Sequence, residues 1–267
     1  MVNRLWIVVA LLLLNWVELV AQSALPTSLT ADRFHLYVLA GQSNMAGRGA
    51  VEAVDKISHP RVWMLNKDGQ WVPATDPMHF DKPDMVGVGP GLAFGKAMAE
   101  QDTAAFIGLI PAAVGGSPID SWQPTGYHEQ TNSHPYDDAL KRVTAAQKTG
   151  TLHGILWHQG ESDSKPELVS SYQAKLTQLI GRFRQAFNAP NLPVVVGTLG
   201  DFYGRKTPVA TQINAVLRDL PKHVSGMACV EATGLTDKGD QTHFNAPSAR
   251  ALGKRYAEAM QILELMK

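Results

Sequence analysis

Apolar positions along the chain follow two alternating rhythms. Five short runs, FHLYVLA (34–40), AAFIGLIPA (104–112), LHGILWHQ (152–159), LPVVVGTLG (192–200) and VSGMACVEA (224–232), are nearly unbroken and bounded by turn formers. Such runs predict strands buried on both faces. Between them apolar residues recur every three or four positions. Leu168, Tyr172, Leu176, Leu179, Phe183 and Phe187 line one face of a predicted helix over 166–187, and Leu252, Tyr256, Met260 and Leu263 do so over 246–266, behind Pro247 in the first turn. Strand then helix, repeated over this length, predicts an α/β fold with a parallel sheet covered on both faces by helices.

Two stretches break the pattern. Residues 50–90 are rich in Pro, Gly and Asp and predict a long excursion with at most a small hairpin around KDGQ (67–70). The second, AVGGSPIDSWQPTGYHEQTNSHP (113–135), is equally irregular. Long irregular segments in a compact domain often carry function. No internal repeat, low-complexity tract or interdomain linker interrupts the remainder.

The chain has 267 residues, 45% hydrophobic and 18% charged, enough for a sizeable core. With 24 basic and 24 acidic side chains it offers no electrostatic footprint for nucleic acid and no basic run for an anionic membrane. The N-terminus reads differently from the rest. A positive start (MVNR), an apolar LWIVVALLLL and a small-residue LVAQSA, with cleavage after Ala21 or Ser23, form the pattern of a secretory signal over 1–23. A membrane anchor needs about 20 apolar residues, and Asn15 and Glu18 interrupt this run. The expectation is a secreted or periplasmic protein with a single mature domain, 24–267. Cys229 is the sole cysteine, so export comes without an intrachain disulfide.

In open parallel sheets, ligands sit at the carboxyl ends of the strands. Four loops there bring suitable chemistry: GQSN with Ser43, AVGGS with Gly115 and Gly116, WHQGESD with His158, Gln159 and Glu161, and GDQTHFN with Asp240 and His243. A serine hydroxyl becomes a nucleophile when an imidazole takes its proton, and a carboxylate fixes that imidazole's tautomer. Ser43, His243 and Asp240 suit those roles. The amides of Ser43 and Gly116, with the neighbouring Gly115, and the Gln159 side chain are candidate donors to an oxyanion. Plainer roles exist for each: Ser43 as a helix cap, the glycines as turn formers, Gln159 as a buried bridge. Trp122 has a face suited to a sugar ring or to anchoring its own loop, and Arg48 can touch substrate or brace a loop. His158 with Glu161, and Asp240 with His243, repeat an i, i+3 spacing, but neither the H-E-x-x-H nor the cysteine cluster of a zinc site is present. No metal is expected.

GQSNMAGRG (41–49), AVGGSPIDSW (113–122), WHQGESDS (157–164) and DQTHFN (240–245), in this order over nearly all the mature chain, resemble the SGNH hydrolases. Within them the chain is similar to the sialate O-acetylesterase-like group that includes the acetylxylan esterases of carbohydrate esterase family 6. The resemblance implies a three-layer α/β/α, flavodoxin-like fold with a central sheet of about five parallel strands, and cofactor-free serine ester hydrolysis that removes acetyl groups from sugar hydroxyls. It implies Ser43 as nucleophile on a G-x-S turn, Gln42 in place of the superfamily's usual aspartate, and Gln159 in place of its oxyanion asparagine. His243 is the implied base. Its acid partner is Asp240, with Glu161 the alternative. Gln42, Asn44, Arg48, Trp122 and His158 are expected to face the substrate. The expected substrate is an acetylated xylan or related polysaccharide; sialate or cell-wall acetyl esters, and a non-catalytic carbohydrate-binding protein using the same cleft, are the alternatives.

Overall fold

A computed structural model describes residues 24–266; the predicted signal segment, 1–23, lies outside the described residues. Seven strands occur among them: β1 (Phe34–Gly41), β2 (Val62–Leu65), β3 (Trp71–Pro73), β4 (Phe106–Pro111), β5 (Thr151–His158), β6 (Val194–Gly197) and β7 (Met227–Val230). The helices are α1 (Ser43–Ala46), α2 (Gly91–Gln101), α3 (Pro135–Ala146), α4 (Pro166–Ala186), α5 (Asp201–Lys206), α6 (Ala210–Asp219) and α7 (Ala246–Leu265). One sheet holds all seven strands in the order β3-β2-β4-β1-β5-β6-β7. Every neighbouring pair is parallel except β2 with β3.

The five predicted strands are present, with β1 running one residue further to Gly41, β5 shifted one residue toward the N-terminus and the other three shortened at both ends. The other two come from the 50–90 excursion, whose hairpin closes over Asn66–Gln70 with the Asn66 side chain accepting from the amides of Asp68 and Gln70. That hairpin extends the sheet because β2 pairs with β4, some forty residues further on.

Along β1 alternate side chains enter two cores. Leu36 and Val38 join α3, α4 and α6 on one face, whereas Tyr37 and Leu39 join α2 and α7 on the other. This is the three-layer α/β/α arrangement. On α4 the buried stripe is Val169, Tyr172, Leu176, Leu179, Ile180 and Phe183, with Leu168 only half-buried, so the stripe starts one residue later than its spacing suggested. Each of the large side chains contributes roughly 1.5–3 kcal/mol by leaving water. Among the described residues, no helix is long and apolar enough to cross a membrane.

From β1 the chain goes to one side of the sheet for β2 and β4, then to the other for β5, β6 and β7. Strand order therefore reverses at β1, and the loops leaving β1, β4 and β5 diverge around a crevice at their carboxyl ends.

Candidate active site

β1 ends by touching its neighbour. Gly41 has φ +125°, and a Cβ there would lie 2.1 Å from the His158 carbonyl oxygen, so only glycine lets the strand turn out at this point. The Gln42 amide donates to that same carbonyl, and α1 begins at Ser43. The N-cap of α1 is Gln42, so Ser43 is not its cap. Its Oγ instead lies 3.0 Å from His243 Nε2.

Asp240 fixes that imidazole. Its Oδ2 is 2.7 Å from His243 Nδ1, while Oδ1 accepts from the main-chain amides of His243 and Thr242 at 2.8 and 2.9 Å. A carboxylate only accepts, so Nδ1 donates and Nε2 is left to take the Ser43 proton. Burial pushes the Asp240 carboxyl up, but the bonds from the His243 ring and from the two amides outweigh it and hold the group at about 2. His243 is lowered by burial, with Asp240 opposing part of the shift.

Glu161 is not on the imidazole. Its Oε1 accepts from Asn44 Nδ2 at 2.6 Å, its Oε2 is buried without a partner, and burial pushes the carboxyl up to about 7. The position of the alternative acid is thereby corrected: Asp240 holds the histidine and Glu161 lies in the floor of the cleft beside it.

The cleft has a volume of about 270 Å³. Gln42, Lys82, Glu161, Ser162 and Thr242 supply polar groups to its wall, and Met85 an apolar one. A larger groove, about 490 Å³, lies between α2 and α7 and shares none of these residues. At the cleft, the N–H groups of Ser43 and Gly116 have no partner among the described residues.

Several expected contacts take other places. The Gly115 amide is already given to Asp81 Oδ2 at 2.7 Å and is not available to an oxyanion. Gln159 is fully buried, its Nε2 donating to Gln42 Oε1, Ser117 O and Asp163 Oδ2 beneath the cleft, so it secures the loops instead of pointing at substrate. Asn44 is buried between Glu161 and the 242–244 segment. His158 is fully buried on the Tyr256 hydroxyl and held down to about 3 by burial, hence neutral. Trp122 is 1% exposed, packs edge-on to Trp157 and donates Nε1 to Ser117 Oγ; it anchors its loop and cannot stack on a sugar. Arg48 reaches the cleft wall, yet its guanidinium is engaged by Gly47 O and Asp81. Gln42 keeps a place in the wall.

Other lining residues carried no sequence signal of their own. Tyr203, whose hydroxyl donates to the Glu161 carbonyl, stands in unremarkable surroundings, and Ser162, which donates to Gly116 O, lies in WHQGESDS without having been singled out. Among the described residues, no group of three or more His, Cys, Asp or Glu is disposed to hold a metal ion. A hydroxyl, a base, a fixed acid and two free amides around one crevice can add the hydroxyl to an ester carbonyl and receive the anion that forms.

Known proteins share this arrangement of chain. A probable carbohydrate esterase from Arabidopsis thaliana is 32% identical over 244 residues, spanning 84% of this chain and 89% of that protein. A crystal structure of an Arabidopsis thaliana protein superposes with a TM-score of 0.74 at 31% identity, covering 85% of this chain and 98% of the other. A carbohydrate acetylesterase from Xanthomonas citri has the same fold at 18% identity, TM-score 0.65, with 87% of this chain and 57% of that one covered. Residues 33–262, which take in all four loops of the cleft, match the family described as carbohydrate esterase, sialic acid-specific acetylesterase. The chain therefore belongs to that family and is a carboxylic ester hydrolase.

Proposed function

We propose that this enzyme removes acetyl groups from carbohydrate hydroxyls through an acetyl-enzyme on Ser43. The continuous line Asp240 Oδ2, His243 Nδ1, His243 Nε2, Ser43 Oγ, at 2.7 and 3.0 Å, carries the reading. His243 takes the Ser43 proton as Oγ attacks the acetyl carbonyl, and the amides of Ser43 and Gly116 receive the negative oxygen. The tetrahedral intermediate collapses, the C–O bond to the sugar breaks, and the sugar oxygen leaves with the proton from His243. Water then gives His243 a proton and attacks the acetyl carbon, releasing acetate and restoring Ser43.

The polar wall supports a sugar as the alcohol partner. Acetylated xylan or a related plant polysaccharide is the substrate we favour. The family description, which names sialic acid, favours O-acetyl sialate as the second reading. Export through residues 1–23 belongs to the same proposal, and N-terminal sequencing of protein recovered outside the cytoplasm checks it. The central experiment is acetate release from p-nitrophenyl acetate and from a panel of acetylated xylo-oligosaccharides and O-acetyl sialates. Ser43→Ala is expected to fold as wild type and lose at least about a thousandfold in kcat. Undiminished turnover in that variant refutes the nucleophile, and glycan binding without acetate release by the wild type refutes catalysis.

A further inference from the structure

Asp81 stands outside every sequence motif, yet it joins the two turns on which the proposed reaction depends. It forms a buried pair with Arg48, their side chains 2% and 1% exposed. Asp81 Oδ2 accepts twice, from the Gly115 amide at 2.7 Å and from Arg48 Nη2 at 2.8 Å. Arg48 Nη1 in turn donates to the Gly47 carbonyl at 2.7 Å, just past the end of α1. An unbroken chain of bonds thus runs from the helix that begins with Ser43 to the turn that carries Gly116.

The fit leaves no slack. A Cβ at Gly115 would lie 2.3 Å from Arg48 Nη2 and 2.7 Å from Asp81 Oδ2, so a side chain there would displace the pair. Arg48 Nε and Asp81 Oδ1 are buried without partners. An ion pair left partly unsatisfied is a poor source of net stability, because its desolvation offsets its attraction. Its effect on geometry is direct: the two amides free to meet an oxyanion, those of Ser43 and Gly116, belong to the two segments it connects. A misplacement of about 1 Å in such a site can cost two orders of magnitude in rate.

We propose that Asp81 is a positioning residue for ester hydrolysis, clamping the Gly115–Gly116 turn to the nucleophile helix through Arg48 so that both amides converge on the anion. The inference rests on the serine ester hydrolase reading, which Ser43→Ala tests by itself. With wild-type hydrolysis and its loss in Ser43→Ala established, the clamp is tested with Asp81→Ala and Asp81→Asn, measuring kcat and KM on p-nitrophenyl acetate and inhibition by phenylboronic acid, a tetrahedral anion mimic.

In Asp81→Ala, kcat is expected to fall by about tenfold or more with KM within threefold of wild type, and boronate affinity to fall in step with kcat/KM. Asp81→Asn keeps an acceptor for the Gly115 amide, and its losses should be smaller. Should Asp81→Ala not fold because Arg48 is left buried without a counter-charge, the double variant Arg48→Met with Asp81→Ala removes both charges, and the same joint loss of kcat and boronate affinity is expected. Unchanged kcat, a change confined to KM, or boronate affinity that stays at the wild-type value while kcat falls overturns the clamp and leaves the ester hydrolase reading intact.

Discussion

Asp240 and His243 are three residues apart, and that spacing lets one carboxylate hold both the backbone and the ring of the same histidine. Oδ1 takes the His243 amide and Oδ2 the ring Nδ1, so the imidazole is fixed in position and tautomer by one neighbour. Burial keeps the ring below its ordinary value of 6.5 despite the opposing carboxylate. The base acts when neutral, and a lowered pKa keeps it neutral to a lower pH. The acid limb of kcat/KM is therefore expected to have its midpoint below 6.5, read from a pH series with p-nitrophenyl acetate. A midpoint above 7, or a rate flat down to pH 4, contradicts the role. A local D-x-x-H turn was legible in the sequence because both partners lie within one short loop. Trp122, Gln159 and Asn44 were not, since a residue past a strand end becomes cleft or core according to which distant segment packs on it. Trp122 meets Trp157 and Phe183, and Gln159 meets Asp163 and Ser117.

At the scale of elements, the cleft is assembled by pinning the last loop to the first. Asn44, the second residue of α1, accepts from the Phe244 amide at 3.0 Å and donates to the Thr242 carbonyl at 3.0 Å and to Glu161 Oε1 at 2.6 Å. One buried amide thus connects the nucleophile helix, the histidine loop and the loop after β5. Asn44→Ala leaves the Phe244 amide and Glu161 without that partner, a loss of about 1–3 kcal/mol in stability. It also frees His243 from its register with Ser43, so kcat should drop by about tenfold or more. Urea unfolding and steady-state kinetics check both, and stability within 0.5 kcal/mol (the rough scatter of surface substitutions) with unchanged kcat refutes the role. The five predicted strands were readable because each lies within a nearly continuous apolar run. The hairpin of β2 and β3 was readable as a small hairpin around KDGQ but not as part of the sheet: β3 is only half-buried, and what joins β2 to the sheet is its distant pairing with β4.

For the whole molecule, ionisable groups with shifted titration, in the cleft and outside it, set how stability depends on pH. Asp240, held at about 2 against an ordinary 3.8, stabilises the fold above pH 3.8, and this contribution disappears as pH falls through about 2. Glu161 acts in the opposite sense. Its carboxyl titrates at about 7 in the fold against an ordinary 4.5, so the folded state holds its proton longer than the unfolded chain does. Whatever Glu161 contributes is complete below pH 4.5 and is lost as pH rises through 7. Asp76, raised to about 8 by burial and then by Asp55, adds a slope of the same sign. Glu161→Gln replaces the carboxyl by a neutral group of the same shape whose oxygen can still accept from Asn44. Relative to wild type, the variant is expected to gain a few kcal/mol between pH 4.5 and pH 8.5, leaving the Asp76 slope in place. Guanidinium unfolding at the two pH values reads the difference directly. A wild-type minus variant difference that does not change with pH would mean that Glu161 is ionised throughout, and the neutral carboxyl in the floor of the cleft would have to be abandoned.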